Sequence, residues 1–237
     1  NVAQLEEATQ YNKYFAASGG EGSDQAAYVN GEYATAAGEA ALAFGQGASA
    51  YGSGAHASAA NSVAIGFNSF AAAEGAVAIG GLGQAYDEFN SPIMEDGEAV
   101  LVSTQAEAGG TAVGSGALAT GQNATALGNG AQALGDNSYA GGVKSRATGN
   151  WSTAVGSNAW ASGDDATATG AYAWATADGA TAYGTSAWAT SANASAFGYG
   201  AWADGSGATA LGMDTWANGV NAIAVGRGAL STADQAI

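Results

Sequence analysis

The chain has 237 residues, including 39 Gly, one Pro and no Cys, and its formal charge of −16 comes from 20 acidic residues against four basic ones. Nucleic acid and anionic membranes are therefore poor partners, because their phosphates would be repelled. No apolar run is long enough for a transmembrane helix, so direct membrane insertion of this segment is not expected.

Residues 1–34 lack the repeat that dominates the rest of the chain. Apolar residues of 2–14 fall roughly on one face of a short helix, which the glycine-rich stretch 18–22 would end. We expect this segment to be a cap on the open edge of the first repeat, or part of a preceding module. Residues 1–4 have neither the charged nor the apolar region of a signal peptide, which predicts a segment of a longer protein or one whose signal has been removed.

A 14-residue repeat is clear from residues 35–80 onward. It is marked by glycines at one phase: Gly38, Gly52, Gly66, Gly80, Gly114, Gly128, Gly142, Gly156, Gly170, Gly184, Gly198, Gly212 and Gly226. We number the positions of each repeat from this glycine as zero. A fixed short period predicts an architecture in which every repeat is one structural unit stacked on the next.

The register breaks between Gly80 and Gly114, which are 34 residues apart. Residues 81–99 contain the only proline, Pro92, and are rich in acidic residues, which predicts an insertion such as a hairpin. A surface loop without a function is one interpretation, since loops tolerate insertions. A binding loop is the other, with five candidate ligand-binding residues: Tyr86, Asp87, Glu88, Phe89 and Met94.

Residues 100–237 continue the repeats. Position twelve is Ala in every complete repeat, position five is nearly always Ala, and larger residues alternate with small ones over positions ten to thirteen. A period of two indicates a strand, and positions three to five indicate a second, shorter strand. Each repeat is therefore predicted to be one coil of strand, turn, strand and turn, and stacked coils would pair as parallel strands about 4.8 Å apart.

A coil of only 14 residues leaves a thin interior. The small residues at positions five, ten and twelve fit inside it, so positions four, eleven and thirteen are predicted to point outward. Position thirteen is then an exposed apolar row of a size that favours self-association. Its members expected at a subunit interface are Ile65, Ile79, Val113, Leu127, Val155, Tyr183, Phe197, Leu211 and Val225.

The hexamers at 61–66, 75–80 and 221–226 resemble the head repeats of the trimeric autotransporter adhesins, the YadA-like heads. The resemblance covers about 35–237, apart from 81–99. It implies an all-β, left-handed parallel β-roll, a homotrimer, and a bacterial cell-surface location with an anchoring region beyond this segment. It also implies multivalent, non-enzymatic attachment to host matrix or cell-surface proteins, glycans or other surfaces, without a cofactor.

The Trp-rich second half departs from this resemblance. Position four carries five Trp in consecutive repeats: Trp160, Trp174, Trp188, Trp202 and Trp216. This Trp ladder has two interpretations, stacking that only stabilises the roll or a ligand-binding surface. For a protein partner the insertion is slightly favoured over the ladder, because it has no evident role in the roll.

Catalytic and metal sites are not expected. His56 is the only His, lies at the outward position four, and has no partner for nucleophilic chemistry. Asp164, Asp165 and Asp178 fall at turns, where a solvated carboxylate is favoured over a calcium ligand. A polysaccharide-degrading solenoid would need a pair of carboxylates on neighbouring coils of one face, which is absent.

An ice-binding β-solenoid is the alternative from another functional class. Its feature is a column of threonines at position eleven: Thr111, Thr125, Thr153, Thr167, Thr181 and Thr209. The bulky row at position thirteen lies on the same predicted face, which is unfavourable for a flat array of hydroxyl groups.

Overall fold

The chain folds as a parallel β-solenoid, in a computed structural model that describes residues 25–87 and 91–237. Two long sheets face each other, and successive coils add one strand to each sheet. Within the sheets every pairing is parallel, with Ala opposite Ala, as in Ala112 with Ala126 and Ala154 with Ala168. The predicted parallel solenoid of 14-residue coils is therefore confirmed.

The strands are short and evenly spaced. Sheet 1 contains Tyr28–Val29 (β1), Leu42–Ala43 (β3), His56–Ala57 (β5), Phe70–Ala71 (β7), Gln105–Ala106 (β13), Leu118–Ala119 (β15), Gln132–Ala133 (β17), Arg146–Ala147 (β19), Trp160–Ala161 (β21), Trp174–Ala175 (β23), Trp188–Ala189 (β25), Trp202–Ala203 (β27), Trp216–Ala217 (β29) and Leu230–Ser231 (β31). Sheet 2 contains Thr35–Ala37 (β2), Ser49–Tyr51 (β4), Val63–Ile65 (β6), Val77–Ile79 (β8), Thr111–Val113 (β14), Thr125–Leu127 (β16), Tyr139–Gly141 (β18), Thr153–Val155 (β20), Thr167–Thr169 (β22), Thr181–Tyr183 (β24), Ser195–Phe197 (β26), Thr209–Leu211 (β28) and Ile223–Val225 (β30).

The core between the sheets is built almost entirely of alanine. Positions three, five, ten and twelve are buried, as in Ala117, Ala119, Ala124 and Ala126. Position three joins the three inward positions predicted from the sequence, because it flanks the outward residue of the shorter strand. Among the described residues the largest fully buried side chains are only Thr and Ser. The interior therefore has no room for a larger side chain.

The glycine at position zero is required by its backbone and by its neighbour. Gly114 has φ of 132° and Gly156 has φ of 127°, which side chains rarely adopt. A Cβ added to Gly114 would lie 2.4 Å from the oxygen of Gly128 in the next coil. The strict 14-residue phase of this glycine thus records the closest approach between successive coils.

Position eight forms a side-chain ladder along the opposite turn. The main-chain N–H of Asp136 donates to Asn150, that of Asn150 to Asp164, and that of Asp164 to Asp178, at 2.8 to 3.0 Å. Each side-chain oxygen thus satisfies a turn N–H of the preceding coil. Two of the aspartates considered as cation ligands, Asp164 and Asp178, are engaged in this way.

The insertion interrupts sheet 1 more than sheet 2. Gln105 pairs with Phe70, 35 residues earlier, and with Leu118, 13 residues later, where the usual offset is 14. The insertion has two antiparallel pairs, Gly83–Gln84 (β9) with Leu101–Val102 (β12) and Met94–Glu95 (β10) with Glu98–Ala99 (β11). The antiparallel pairing therefore reaches Val102, beyond the boundary at 99 expected from the sequence.

The helix expected at residues 2–14 lies outside the described residues, as does most of the predicted cap at 1–34. The first described coil begins with β1, whose Tyr28 and Val29 are exposed. In the part of the chain that the structure covers, no helix of sufficient length and apolarity to cross a bilayer occurs.

Candidate binding surface

The Trp ladder runs along the outer face of sheet 1. Its members stand at position four of β21, β23, β25, β27 and β29, between two inward alanines, so each indole points away from the core. The first four are half-buried, and Trp216 at the end is 43% exposed. Position four therefore faces outward, as the alternation in the sequence predicted.

Neighbouring indoles contact each other, with unequal geometry. Trp174 and Trp188 are stacked, with ring centroids 4.9 Å apart and 6° between the planes. Trp160 meets Trp174 edge-on at 5.5 Å, whereas Trp188 and Trp202 are 4.9 Å apart and tilted by 60°. Such pairs contribute about 0.5–1.5 kcal/mol each beyond area burial. Part of the ladder therefore stabilises the roll through its own contacts.

The tilt between Trp188 and Trp202 opens a surface cleft. It has a volume of about 190 Å³ and is also lined by Ser186, Gly200 and Ala201. The indole N–H groups of Trp188 and Trp202 are buried and have no hydrogen-bond acceptor among the described residues. The ladder is thus least satisfied where it is most open.

The carboxylate of Asp214 lies beside this cleft. A Cβ added to Gly200 would come within 2.6 Å of Asp214 Oδ1, which places the carboxylate against the residue that lines the cleft. Asp204 follows Trp202 by two residues and accepts a hydrogen bond from the Thr190 hydroxyl. Both aspartates are exposed. The cleft therefore combines aromatic walls with negative charge on its margins.

The insertion folds back onto the coils that follow it. The Tyr86 ring packs on Gly130, where an added Cβ would lie 3.1 Å from Tyr86 Cε2, and Lys144 Nζ stands 4.1 Å from its centroid. Arg146 Nη1 donates to the main-chain oxygen of Asp87 at 2.8 Å. The turn after Asp87 is closed by the N–H of Ser91, which donates to Asp87 Oδ1 at 2.8 Å. The insertion is therefore held against the roll at a defined place.

Arg146 joins the two predicted binding regions. Its guanidinium carbon lies 6.0 Å from the ring centroid of Trp160, the first member of the ladder. The insertion and the ladder, which sequence reasoning treated as separate candidates, thus form one continuous surface. Met94 in the insertion is 54% exposed. Two other predicted residues, Glu88 and Phe89, lie outside the described residues.

An aromatic group at the other end of sheet 1 was missed in the sequence. His56 lies between Phe44 and Phe70, with ring centroids 5.3 and 5.1 Å away. The side chain is half-buried rather than exposed as expected, and this burial lowers the pKa of His56 below its usual range. Phe44 escaped notice because it stands at position six, outside the column that the repeat analysis followed.

The row at position thirteen lies on the outer face of sheet 2, opposite the ladder. Tyr183 and Val225 are 58% and 61% exposed, and Leu211 is 47% exposed. Ile65, Leu127, Val155 and Phe197 are slightly more than one-third exposed, and Ile79 and Val113 are half-buried. The single chain therefore presents a long apolar row to solvent. In the described residues no three His, Cys, Asp or Glu side chains are grouped so that they could hold a metal ion.

Comparison with known families gives one match of wide extent. The profile of the YadA head domain repeat matches residues 57–82, 108–131, 119–145, 133–159, 147–173, 161–187, 189–215 and 217–237. These segments cover more than half of the chain and leave out most of the insertion. No curated protein matches the chain as a whole.

Proposed function

Since the chain belongs to the YadA head family, whose members are structural adhesins exposed on bacterial surfaces, we propose that it is the head of a trimeric surface adhesin. In this proposal three left-handed rolls associate about one axis and attach to matrix proteins, cell-surface proteins or glycans of a host. Attachment is multivalent, so individually weak contacts combine into strong adhesion.

The exposed row at position thirteen is the observation that carries this proposal. Residues such as Leu211 and Val225 form an apolar face longer than a soluble monomer usually leaves in water. Burying this face between copies would direct sheet 2 toward the trimer axis. Sheet 1, with the insertion and the Trp ladder, would then face outward and be available to a ligand.

Sedimentation of the chain and of two variants tests the assembly. The unmodified chain is expected to sediment as a stable trimer. The variant Ile65→Asp, Ile79→Asp, Val225→Asp should form monomers or aggregates, because three copies of each charge would be buried at the axis. The control Leu230→Asp changes an exposed apolar residue of sheet 1 and should leave the trimer intact. A chain that is monomeric at all working concentrations would refute the trimer.

Adhesion to an array of matrix proteins, cell-surface proteins and glycans tests the outward surface. The first expectation is that a chain lacking 84–97 stays trimeric and loses adhesion. The double variant Trp174→Ala, Trp188→Ala serves as the comparison. If that variant abolishes adhesion while the deletion keeps it, the ladder rather than the insertion is the main contact.

No observation favours the ice-binding alternative. Tyr139 and Ile223 interrupt the threonine column of sheet 2, and the side chains of position thirteen project from the same strands. Thermal hysteresis of the purified chain is therefore expected to be absent.

A further inference from the structure

The coils that bear the Trp ladder are uniformly acidic. Residues 148–226 contain five aspartates, namely Asp164, Asp165, Asp178, Asp204 and Asp214, and no Lys, Arg or His. Their field raises the local concentration of cations along this part of the rod. It acts against anionic ligands such as sulfated polysaccharides.

The cleft between Trp188 and Trp202 places two attractions for a cation at one point. Tryptophan is the aromatic side chain that binds cations best through its ring face. The carboxylate of Asp214 stands beside Gly200 at the margin of the cleft, and Asp204 lies beyond Trp202. A guanidinium or ammonium group in the cleft can therefore contact an indole and pair with a carboxylate together.

The chain already uses this chemistry on the same face. The guanidinium of Arg146 lies 6.0 Å from the Trp160 centroid, and the ammonium of Lys144 lies 4.1 Å from that of Tyr86. These two are half of the four basic residues of the whole chain. The internal contacts show that aromatic rings of this surface accept cationic side chains, and the ladder beyond Trp160 repeats the same rings without an internal cation.

We propose that the cleft between Trp188 and Trp202 binds an arginine or lysine side chain of an extended basic segment in a partner protein. Adjacent members of the ladder supply further ring contacts, one per coil, for neighbouring residues of the segment. The proposal deepens the proposed function, on which it rests for the outward orientation of sheet 1. Charge complementarity selects this occupant over a neutral saccharide, which has no use for the two carboxylates.

Binding of a deca-arginine peptide to the intact chain, measured by isothermal titration calorimetry, tests the proposal. Deca-glutamate and cellohexaose serve as anionic and neutral probes. Deca-arginine is expected to bind, with an affinity that falls as salt is raised, and neither other probe should bind comparably. Asp214→Asn and Trp202→Leu should each weaken the peptide about two- to fivefold, the range of a single exposed ion pair or cation–π contact.

Matched controls separate the cleft from general charge attraction. Asp165→Asn removes the same charge from another turn residue of positive φ, at position nine, and Trp151→Leu removes an exposed Trp outside the ladder. Both should keep the affinity of the unmodified chain. Equal weakening by Asp165→Asn and Asp214→Asn would overturn the proposal, as would binding of cellohexaose without deca-arginine.

The outcomes also distinguish this site from the adhesin function. If the peptide binds and the cleft variants weaken it, but the trimer adheres to nothing on the array, the site stands and the adhesin proposal fails. If the trimer adheres and neither cleft variant changes adhesion or peptide affinity, the adhesin proposal stands and the site fails.

Discussion

Arg146 donates a hydrogen bond to the main-chain oxygen of Asp87 and thereby ties the insertion to a coil 59 residues later in the chain. A charged donor of this kind contributes about 1.5–3 kcal/mol. Replacing it by Met keeps the packing of the stem and removes the bond. Arg146→Met should therefore speed amide hydrogen exchange in the insertion by roughly tenfold or more.

Hydrogen exchange read by mass spectrometry over 81–103 checks this expectation. Arg227→Met is the control, since Arg227 is exposed near the last coils. The exchange of sheet 2 should not change in either variant. Unaltered exchange in the insertion of Arg146→Met would mean that other contacts hold it.

Gly170→Ala should be among the most destabilising single changes in the roll. Gly170 has φ of 130°, and an added Cβ would lie 2.5 Å from the oxygen of Gly184. Backbone strain alone costs about 1–3 kcal/mol, and the clash adds to it. Gly75→Ala is the control, because Gly75 has φ of 68° and an added Cβ meets no atom within 4 Å. Equal melting temperatures of the two variants would contradict the role given to position zero.

Ala154→Leu should destabilise the chain more than Trp216→Leu. Ala154 is completely buried in a core where only Ala, Ser and Thr fit, and overpacking typically costs about 1–3 kcal/mol. Trp216 lies at the end of the ladder, is 43% exposed and contacts Trp202 at 4.8 Å. Its replacement loses about one aromatic pair, or 0.5–1.5 kcal/mol. Thermal melts that reverse this order would mean that the inward and outward faces are misassigned.

The stability of the first coils should fall in mild acid because of His56. Burial lowers its folded-state pKa below the ordinary value of 6.5, so at pH values between the two the unfolded chain binds more protons. The stabilisation is complete above pH 6.5 and is lost as pH falls through the folded-state pKa. His56→Leu removes this dependence, and position four accepts Leu at Leu42 and Leu118. Chemical unfolding of both proteins from pH 7.5 to pH 4.5 checks the difference, and parallel curves would refute it.

The period of the sequence predicted the roll because the same physical constraint recurs in every coil. The stack of alanines at positions five, ten and twelve, and the outward direction of Trp188 and Leu211, follow from alternation within a strand. Position three was less evident, since a two-residue strand offers too little alternation to place its neighbours.

The candidate surface was harder to predict because its contacts do not repeat. Nothing periodic relates Tyr86 to Gly130 or Asp87 to Arg146, and the fold alone brings them together. The ladder was visible as a column, but its unequal tilts depend on packing between rings. The cleft beside Trp202 arises from one such tilt, and Asp214 reaches it from the following coil.

Hydrogen bonds between coils all run along the axis of the rod, from β1 to β31 in sheet 1 and from β2 to β30 in sheet 2. A pulling force along that axis therefore acts on one layer of bonds at a time, and the outermost coil separates first. Each coil released lengthens the chain by roughly 45 Å, since 14 residues extend to about 3.3–3.6 Å each. A cell tethered through such a rod would meet shear with a series of small, reversible extensions, which limit the peak load on any single adhesive contact.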